Sequence, residues 1–400
     1  MKIYRATVSA VIDLLQQIFV NGLYADKVIG YALKKNTVWG SRDRRFVAET
    51  TYQMVRWWRL INELVDEKND NYTLHYFKLF AAWRIVNNLD LPDWKEFSGI
   101  DKTKILENYE RLKHIRKFRE SIPDWMDELG VAELGEQRWT TELAELNKMA
   151  KLVLRVNTLK ITTENLQQLL LKHEIETTAN PHYPDALLTE KRTNFYFMDE
   201  YKQGLFEIQD ASSQLVAPFM KLEEGMTVID ACAGAGGKSL HMAAMMNNKG
   251  KLISMDVEEK KMVELYKRAQ RGGVKIIETR LINENEVERL KNSADRLLLD
   301  VPCSGLGVLR RKPMDKWKLS LDIINEKKEL QQKIIADYSQ MLKPGGMMVY
   351  ATCSILPSEN QHQVKEFLDN NKDFEFIEDR KVLPSEGFDG FYMARMKRIC

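Results

Sequence analysis

The chain has 400 residues, of which 44% are hydrophobic and 30% charged, and its formal net charge is +2. This composition predicts a globular intracellular enzyme of two or three domains, and it means that any RNA binding must come from local patches and not from bulk charge. Apolar stretches such as 11–20 are too short and interrupted to span a bilayer, and the N-terminus shows no secretion signal, so we expect a cytoplasmic protein without a membrane partner.

The N-terminal part is predicted to be helical. Apolar residues recur at helical spacing over 8–18 and 28–32, and a third helix is predicted from Arg42 to about Val65. Residues 41–45, SRDRR, begin this helix with a capping serine and a basic cluster. A capped, solvated first turn explains this run more readily than contact with RNA phosphates. We therefore expect an all-helical domain over 1–148.

The pattern changes at about residue 149. Residues 152–157 predict a strand, 163–172 a helix, and 174–206 several short strand-like pieces. We expect a small α+β module over 149–205. The segment 209–213, QDASS, then caps a helix that leads into the next domain.

From residue 206 onward, strands and helices alternate as a parallel sheet requires. Strands are predicted at 226–229, 251–255, 274–277, 296–299 and 347–351, and helices at 237–247, 258–271, 320–342 and 357–370. Two later segments, 374–377 and 391–396, have no room for a crossover helix between them, so they predict an antiparallel edge. The expected fold over 206–400 is α/β with a mostly parallel sheet.

A glycine-rich turn follows the first strand of this domain, in MTVIDACAGAGGKS at 226–239. Strand, glycine turn and helix open a doubly wound domain, and the helix N-terminus offers free N–H groups to a ligand. A phosphate-binding P-loop would need glycine at Cys232, and a dinucleotide fingerprint would need glycine at Ser239. The first mismatch disfavours a nucleoside triphosphate without excluding it. Acids end three predicted strands, at Asp230, Asp256 and Asp300, and the second of these suits a ribose hydroxyl pair.

A cysteine followed by a serine comes after both the fourth and the fifth strand, at Cys303 and Cys353. Adjacent parallel strands bring their C-terminal loops to one edge of a sheet, so these thiols should be near neighbours beside the glycine turn. Either cysteine alone is most simply a small buried residue, whereas a pair at matching strand ends favours reactive thiols. With Cys232 and Cys400 included, no C-x-x-C pair occurs, so neither a zinc site nor a disulfide framework is indicated and no metal is expected.

Longer motifs surround these residues: DACAGAGGK at 230–238, DVPCSGLGVLRRKP at 300–313 and YATCSILPSEN at 350–360. Together with QDASS and the closing GFYMAR, they resemble the Sun/RsmB family of RNA cytosine-C5 methyltransferases over about 205–400. Residues 150–205, with LRVNT at 154–158, are similar to the family's small RNA-binding module. The N-terminal helices loosely resemble its NusB-like RNA-binding domain.

The resemblance implies a Rossmann-like class I methyltransferase domain that binds S-adenosylmethionine. The residues it implies in cofactor binding are Cys232, Ala233, Gly234, Ala235, Gly236, Gly237 and Lys238 in the turn, with Asp256, Arg280 and Asp300 at strand ends. One position departs from the family pattern, because the usual acid that ends the third strand is replaced by Arg280, with Glu278 two residues earlier.

The family's chemistry explains the two thiols. C5 of cytosine is a poor nucleophile, and addition of a thiolate at C6 converts the ring to an enamine that can accept a methyl group. The resemblance assigns this nucleophile to Cys353, the assistance of product release to Cys303, and the N3/N4 edge of the base or the cofactor to Asp300. The target base must reach Cys353, so we expect it to be unpaired or flipped from its stack. The run 310–312, RRK, ahead of Trp317 fits RNA contact about as well as it fits a solvated loop.

The expected function is therefore that of an RNA cytosine-C5 methyltransferase, acting as a monomer. The resemblance of the N-terminus favours ribosomal RNA, with transfer RNA as the alternative. An NTP-binding enzyme is disfavoured by Cys232, and a non-catalytic RNA-binding assembly factor is disfavoured by the presence of both Cys303 and Cys353.

Overall fold

The computed structural model describes residues 3–65, 72–191 and 193–400, so the predicted start at Met1 and Lys2 lies outside the described residues. The chain forms two units, Met1–Asn147 with Arg311–Ser320, and Lys148–Arg310 with Leu321–Cys400. No helix in the described part of the chain is long and apolar enough to cross a membrane.

The first unit is helical, and its apolar residues recur at the spacing that buries one face of each helix. Val8, Ile12 and Leu15 of the first helix are all buried in its core. The predicted third helix is divided at Trp57, whose backbone leaves helical geometry at φ −104 and ψ 21. The helices are α1 (Arg5–Phe19), α2 (Ala25–Lys35), α3 (Ser41–Arg56), α4 (Trp58–Leu64), α5 (Tyr72–Val86), α6 (Lys102–Leu112), α7 (Arg116–Arg119), α8 (Asp124–Leu134) and α9 (Glu136–Leu146).

Residues 311–320 belong to the helical unit although they follow the Cys303 motif in sequence. Lys316 is fully buried there, and its ammonium group donates hydrogen bonds to the carbonyl oxygens of Glu120 and Ser121 and to Oδ1 of Asn147. The indole N–H of Trp317 donates to the carbonyl of Val55 at 2.7 Å. These hydrogen bonds attach the segment to the helical unit.

The second unit begins with a small antiparallel sheet in the order β2-β3-β1-β4. Leu154 and Val156 pack with Leu166 and Leu170 of the following helix, which begins after the capping hydroxyl of Thr162. The elements are β1 (Leu152–Val156), α10 (Thr163–Lys172), β2 (Thr178–Asn180), β3 (Tyr183–Thr189), α11 (Asp199–Lys202) and β4 (Phe206–Ile208).

A seven-stranded sheet follows in the same unit, in the order β10-β11-β9-β8-β5-β6-β7. Its strands are β5 (Thr227–Asp230), β6 (Lys251–Asp256), β7 (Ile277–Leu281), β8 (Ala294–Asp300), β9 (Leu342–Thr352), β10 (Phe374–Val382) and β11 (Phe391–Arg398). The helices along this part of the chain are α12 (Ala211–Gln214), α13 (Val216–Phe219), α14 (Gly237–Met245), α15 (Glu259–Gly272), α16 (Glu284–Arg289), α17 (Asp315–Lys318, within the segment of the helical unit), α18 (Leu321–Ser339) and α19 (Gln361–Asn370).

The topology of this sheet positions the site. Strands β5 to β9 pair in parallel, and β10 and β11 form the antiparallel edge that the sequence predicts. The chain proceeds outward from β5 through β6 and β7, then returns to the other side of β5 with β8. Doubly wound folds bind ligands beyond the carboxyl ends of the strands at such a switch point. The loops after β5, β8 and β9 meet there.

Candidate active site

The glycine turn lies between β5 and α14 and is fixed by its own backbone. The N–H of Ala233 donates to the carbonyl of Met255, and the N–H of Gly236 donates to the carbonyl of Ala233. Gly236 has φ +83, and a Cβ at this position would lie 2.4 Å from Leu265, so only glycine fits. Gly234, with φ +55, instead faces open space, where a Cβ would meet no atom within 4 Å. The turn therefore offers an open backbone surface at Gly234.

Asp256 connects the end of β6 to this turn. Its Oδ2 accepts the N–H of Gly234 at 2.9 Å, and its Oδ1 accepts the N–H of Glu258 at 3.0 Å. The next residue, Val257, is 72% exposed, which is unusual for an aliphatic side chain at a strand end. An open glycine backbone, a strand-end carboxylate and an exposed apolar side chain fit the carboxylate, ribose and adenine of S-adenosylmethionine.

The two predicted thiols are adjacent. Cys303 follows β8, Cys353 follows β9, and their sulfur atoms lie 3.3 Å apart. The hydrogen bond with Cys353 and the burial of the site raise the pKa of the Cys303 thiol well above its usual value. Cys303 is thus held as a neutral thiol that can donate its S–H to the sulfur of Cys353.

A charged pair lies at the same edge of the sheet. Lys238, in the first turn of α14, donates from Nζ to Oδ2 of Asp300 at 2.5 Å. Burial disfavours the charged ammonium, but the attraction of Asp300 outweighs it and, with a smaller contribution from Cys353, raises the pKa of Lys238. A cation beside a thiol attracts its anionic form. The ammonium of Lys238 therefore interacts electrostatically with both Asp300 and Cys353.

Glu359 ties the two cysteine loops together, and the sequence analysis did not identify this role. Its fully buried carboxylate accepts the backbone N–H of Ser304 at 2.7 Å, the hydroxyl of Ser304, and the hydroxyl of Ser354 at 2.5 Å. Nε2 of Gln331 adds a fourth hydrogen bond at 3.1 Å. In the sequence, this role could have been inferred from the serine that follows each cysteine and from the acid in the PSEN segment at 357–360.

Backbone contacts bring a third loop against the cysteines. The N–H of Gly307 donates to the carbonyl of Cys353 at 3.0 Å, and the N–H of Gly390 donates to the carbonyl of Gly307 at 2.8 Å. A Cβ on Gly307 would lie 2.3 Å from the carbonyl oxygen of Gly390. This close approach explains why glycine stands in both the DVPCSGLG and GFYMAR motifs.

One further carboxylate, Asp230, and one further thiol, Cys232, are buried near the turn. Burial raises the pKa of Asp230 to about 7, although the hydroxyl of Ser239 donates to its Oδ2 at 2.6 Å. Burial and then the neighbouring carboxylates Asp230 and Asp300 raise the pKa of Cys232 well above its usual value, so this thiol stays neutral.

Arg280 lies in the third strand, one residue before its end. The third strand is Ile277–Leu281, so Arg280 pairs with Met255 and Leu281 lies opposite Asp256. The guanidinium of Arg280 is bound by the carboxylates of Glu278 and Glu286. The first polar residue beyond the strand is Asn283, whose side chain caps α16 by accepting the N–H of Glu286.

The sequence left the basic run at 310–312 open between RNA contact and a solvated loop, and the structure shows that its three residues are not all on the surface. Arg310 is 5% exposed and donates to the carbonyl of Pro384 at 2.9 Å, so it is a structural residue. Lys312 is exposed, whereas Trp317 is half-buried in the helical unit. Because Arg310 is not available on the surface, the interpretation of the three residues as one RNA-binding patch is corrected.

Comparison with known proteins matches two stretches of the chain, the first of which starts within the helical unit and extends into the second unit. The family model described as 16S rRNA methyltransferase RsmB/F matches residues 217–397, and the ferredoxin-like domain of RsmF/B-like methyltransferases matches residues 122–196. A relative from Synechocystis, named probable ribosomal RNA small subunit methyltransferase B, is 30% identical over 94% of this chain and 95% of its own length.

Two solved structures resemble the chain in fold. The structure of PH0851 has a TM-score of 0.84 at 23% identity and covers 100% of both chains. The structure of NSun6 from Pyrococcus horikoshii with SFG has a TM-score of 0.65 at 20% identity over 70% of this chain and 98% of that one. With the thiol pair, the glycine turn and the matched relatives in agreement, the chain belongs to the RsmB/F family of S-adenosylmethionine-dependent methyltransferases.

Proposed function

We propose that this protein methylates C5 of a cytosine in ribosomal RNA through a covalent bond between Cys353 and C6. The observation that carries this proposal is the pair of thiols 3.3 Å apart at the ends of two parallel strands, beside the ion pair of Lys238 and Asp300. The name of the Synechocystis relative supports ribosomal RNA as the substrate class. Transfer RNA remains the alternative substrate.

The surroundings of the two thiols differ in a way that supports their assignment. Cys303 is held neutral by burial and by its hydrogen bond to Cys353, whereas Cys353 lies within the electrostatic influence of the Lys238 ammonium. The thiolate is the nucleophilic form of cysteine. The family resemblance assigns the addition at C6 to Cys353, and the 3.3 Å separation allows Cys303 to donate its S–H to the same sulfur.

The proposed reaction forms one covalent bond between Cys353 and the base and later breaks it. The bond from Cys353 Sγ to C6 forms and moves electron density to C5. C5 would then attack the methyl group that bound S-adenosylmethionine supplies, which would break the sulfonium–methyl bond and release S-adenosylhomocysteine. Loss of the C5 proton to solvent then restores the double bond and expels Cys353 as a thiolate, which the S–H of Cys303 stabilises. Asp300, with its carboxylate 27% exposed, holds the N3/N4 edge of the base or the cofactor.

The cofactor residues follow from the geometry of the turn. Residues 232–237 and Asp256 would hold S-adenosylmethionine, with the cofactor carboxylate at the N-terminus of α14. Lys238 and Asp300, which form an ion pair, complete the proposed cofactor site, and Arg280 is omitted because the carboxylates of Glu278 and Glu286 bind its guanidinium. SFG, an analogue of S-adenosylmethionine, in the structure of NSun6 supports this class of ligand.

The remaining parts of the chain are proposed to bind the substrate. We assign RNA binding to the helical domain over 1–148 and to the small module over 149–205, and we propose a cytoplasmic monomer that acts on an unpaired or flipped cytosine. Enzymes that modify a base within a duplex must extrude it, and Cys353 can reach C6 only of an extruded or single-stranded base.

Nucleoside mapping tests the reaction directly. RNA from cells with and without the protein should differ by 5-methylcytosine in ribosomal RNA. A site in transfer RNA would instead support the alternative substrate, and no change in either RNA would contradict the proposal.

Trapping tests the roles of the thiols. Cys303→Ala should accumulate a covalent protein–RNA complex on a denaturing gel, because release is slowed after addition. Cys353→Ala should form no complex and no product. The exposed Cys400 offers a matched control, since Cys400→Ala should turn over normally without accumulating a complex. A complex that accumulates with Cys353→Ala and not with Cys303→Ala would reverse the two roles.

A further inference from the structure

Two arginines that the proposed chemistry does not use hold the carbonyl groups of the turn at 231–237, here called the cofactor turn. Nη1 of Arg155, in β1 of the small module, donates to the carbonyl of Gly237. Nη1 of Arg268, in α15, donates to the carbonyl of Ala235 at 2.7 Å. Arg155 is 3% exposed, so its guanidinium is committed to this contact.

Strand alternation explains how Arg155 reaches the turn. Successive side chains of β1 point to opposite faces of its sheet. Leu154 and Val156 pack into the core of the small module, whereas Val153 packs in the cluster that covers the large sheet. Arg155 shares the face of Val153 and therefore points toward the methyltransferase sheet. The small module thus presents this part of its LRVNT motif to the cofactor turn and not to solvent.

Neighbouring side chains fix the orientation of both arginines. Oε1 of Gln209 accepts a hydrogen bond from Arg155, and Nε2 of Gln209 donates to the hydroxyl of Ser213 at 3.1 Å, which gives the QDASS segment a role. Glu207, itself nearly buried, accepts from Arg268 at 2.9 Å and also from Arg271. The arginines are therefore held before any ligand binds.

The peptide geometry connects these contacts to cofactor binding. A trans peptide points its C=O and the following N–H in opposite directions. Holding the carbonyl of Gly237 against Arg155 turns the N–H of Lys238 toward the opposite side, at the N-terminus of α14. Holding the carbonyl of Ala235 fixes the peptide whose N–H closes the turn onto Ala233. Both contacts preserve the backbone shape that a bound carboxylate requires.

The charges near the cofactor turn also favour the binding of an anionic group. Burial lowers the pKa of Arg155 to about 10, so the guanidinium remains positively charged at neutral pH. Arg155, Arg268 and Arg271 are balanced at this place chiefly by the single carboxylate of Glu207. A local excess of positive charge behind the turn attracts an anionic group on its other side.

We infer that Arg155 and Arg268 are positioning residues for S-adenosylmethionine, and that the small module takes part in cofactor binding through Arg155. This inference rests on the assignment of the turn to the cofactor proposed above. Neither arginine touches the reacting atoms, so both act through the backbone of the turn.

Calorimetry with S-adenosylhomocysteine on the full chain tests this inference. Arg155→Met should weaken binding at least about tenfold, equivalent to roughly 1.4 kcal/mol, and Arg268→Met should do the same. The KM for S-adenosylmethionine should rise by a similar factor, while kcat at saturating cofactor and the affinity for RNA stay within about twofold. Arg155→Lys, which keeps a donor and the charge, should restore part of the lost affinity.

Lys160 provides the matched control from the same stretch of sequence. Its Nζ donates to the carbonyls of Gln203 and Arg271 at 2.7 Å each, and so contacts α15 without contacting the turn. Lys160→Met should lower the melting temperature without changing the affinity for S-adenosylhomocysteine. An equal loss of affinity in Lys160→Met, or unchanged affinity in a folded Arg155→Met, would overturn the inference.

The remaining outcomes are also decisive. If Arg155→Met does not fold, the affinity of Arg268→Gln and of Arg155→Lys for S-adenosylhomocysteine tests the inference instead, because these substitutions remove less volume and polarity. If the wild-type chain does not bind S-adenosylhomocysteine, the cofactor assignment of the turn is refuted as well. A product other than 5-methylcytosine would refute the proposed reaction and leave the role of the arginines intact.

Discussion

The carboxylate of Glu359 connects the two cysteine loops, and replacing it should uncouple them. Glu359→Gln preserves the shape of the side chain and keeps Oε1 for the N–H of Ser304 and for Gln331. It replaces Oε2, which accepts both serine hydroxyls, with a neutral amide that donates. The substitution therefore changes two charge-assisted hydrogen bonds without opening a cavity.

The expected magnitude follows from these two bonds. A hydrogen bond to a charged group contributes about 1.5–3 kcal/mol and a neutral one about 0.5–1.5 kcal/mol, so the change should cost about 2–3 kcal/mol in the free energy of unfolding. Displacement of the thiols by a fraction of an ångström should lower kcat by about tenfold to hundredfold. The KM for S-adenosylmethionine should not change, because Glu359 does not contact the cofactor turn.

Urea unfolding and methyl transfer to RNA at saturating cofactor measure these two effects. Glu375→Gln is the matched control, because this carboxylate on β10 is 47% exposed and lies 3.8 Å from Lys397. A surface substitution of this kind should change stability by no more than about 0.5 kcal/mol. A folded Glu359→Gln variant with the kcat of the wild type would refute the argument that this carboxylate aligns the thiols.

Three further outcomes are expected. Lys316→Met should lower the unfolding free energy by about 3 kcal/mol or more, since it leaves several buried acceptors without a donor, and urea unfolding followed by tryptophan fluorescence checks this. The stability of the wild type relative to Asp230→Asn should fall as pH rises from 3.8 to about 7 and should then level off. Over that range the folded protein keeps a proton on Asp230 that the unfolded chain has lost, and unfolding measured across pH checks this. Arg310→Ala should reduce the melting temperature, whereas Lys312→Ala should flatten the salt dependence of RNA binding by a slope of at most about 1.

The third strand shows where sequence patterns fail. The apolar run at 274–277 predicted a strand, but Val274 instead ends α15 by donating its N–H to the carbonyl of Ala269. The strand begins at Ile277 and pairs on one side only, at the end of the sheet. An edge strand is half-exposed and carries polar side chains, so its hydrophobic pattern is weak. Arg280, which the family resemblance placed at the strand end, is the penultimate residue of this strand.

The fifth strand differs for a related reason. The sequence predicts that the long helix runs to residue 342 and that the strand starts at 347, after the KPGG segment at 343–346. Instead, α18 ends at Ser339 and β9 already begins at Leu342. Propensity places Gly and Pro outside strands, and here pairing of Leu342 with Ala294 overrides it. Burial of Leu342 in the core supplies the tertiary contact.

The sequence by itself determined the α/β fold, its antiparallel edge and the strand ends that carry the two cysteines. These features depend on periodicity and on turns, which are local, and on the rule that parallel strands end at one edge. Only the tertiary structure decided which partners the polar groups have. Lys316 donates to the carbonyl of Glu120, 196 positions away, and Arg155 donates to the carbonyl of Gly237, 82 positions away. A basic residue looks the same in a sequence whether solvent or a distant carbonyl surrounds it, because its burial is set by the packing of segments far apart in the chain.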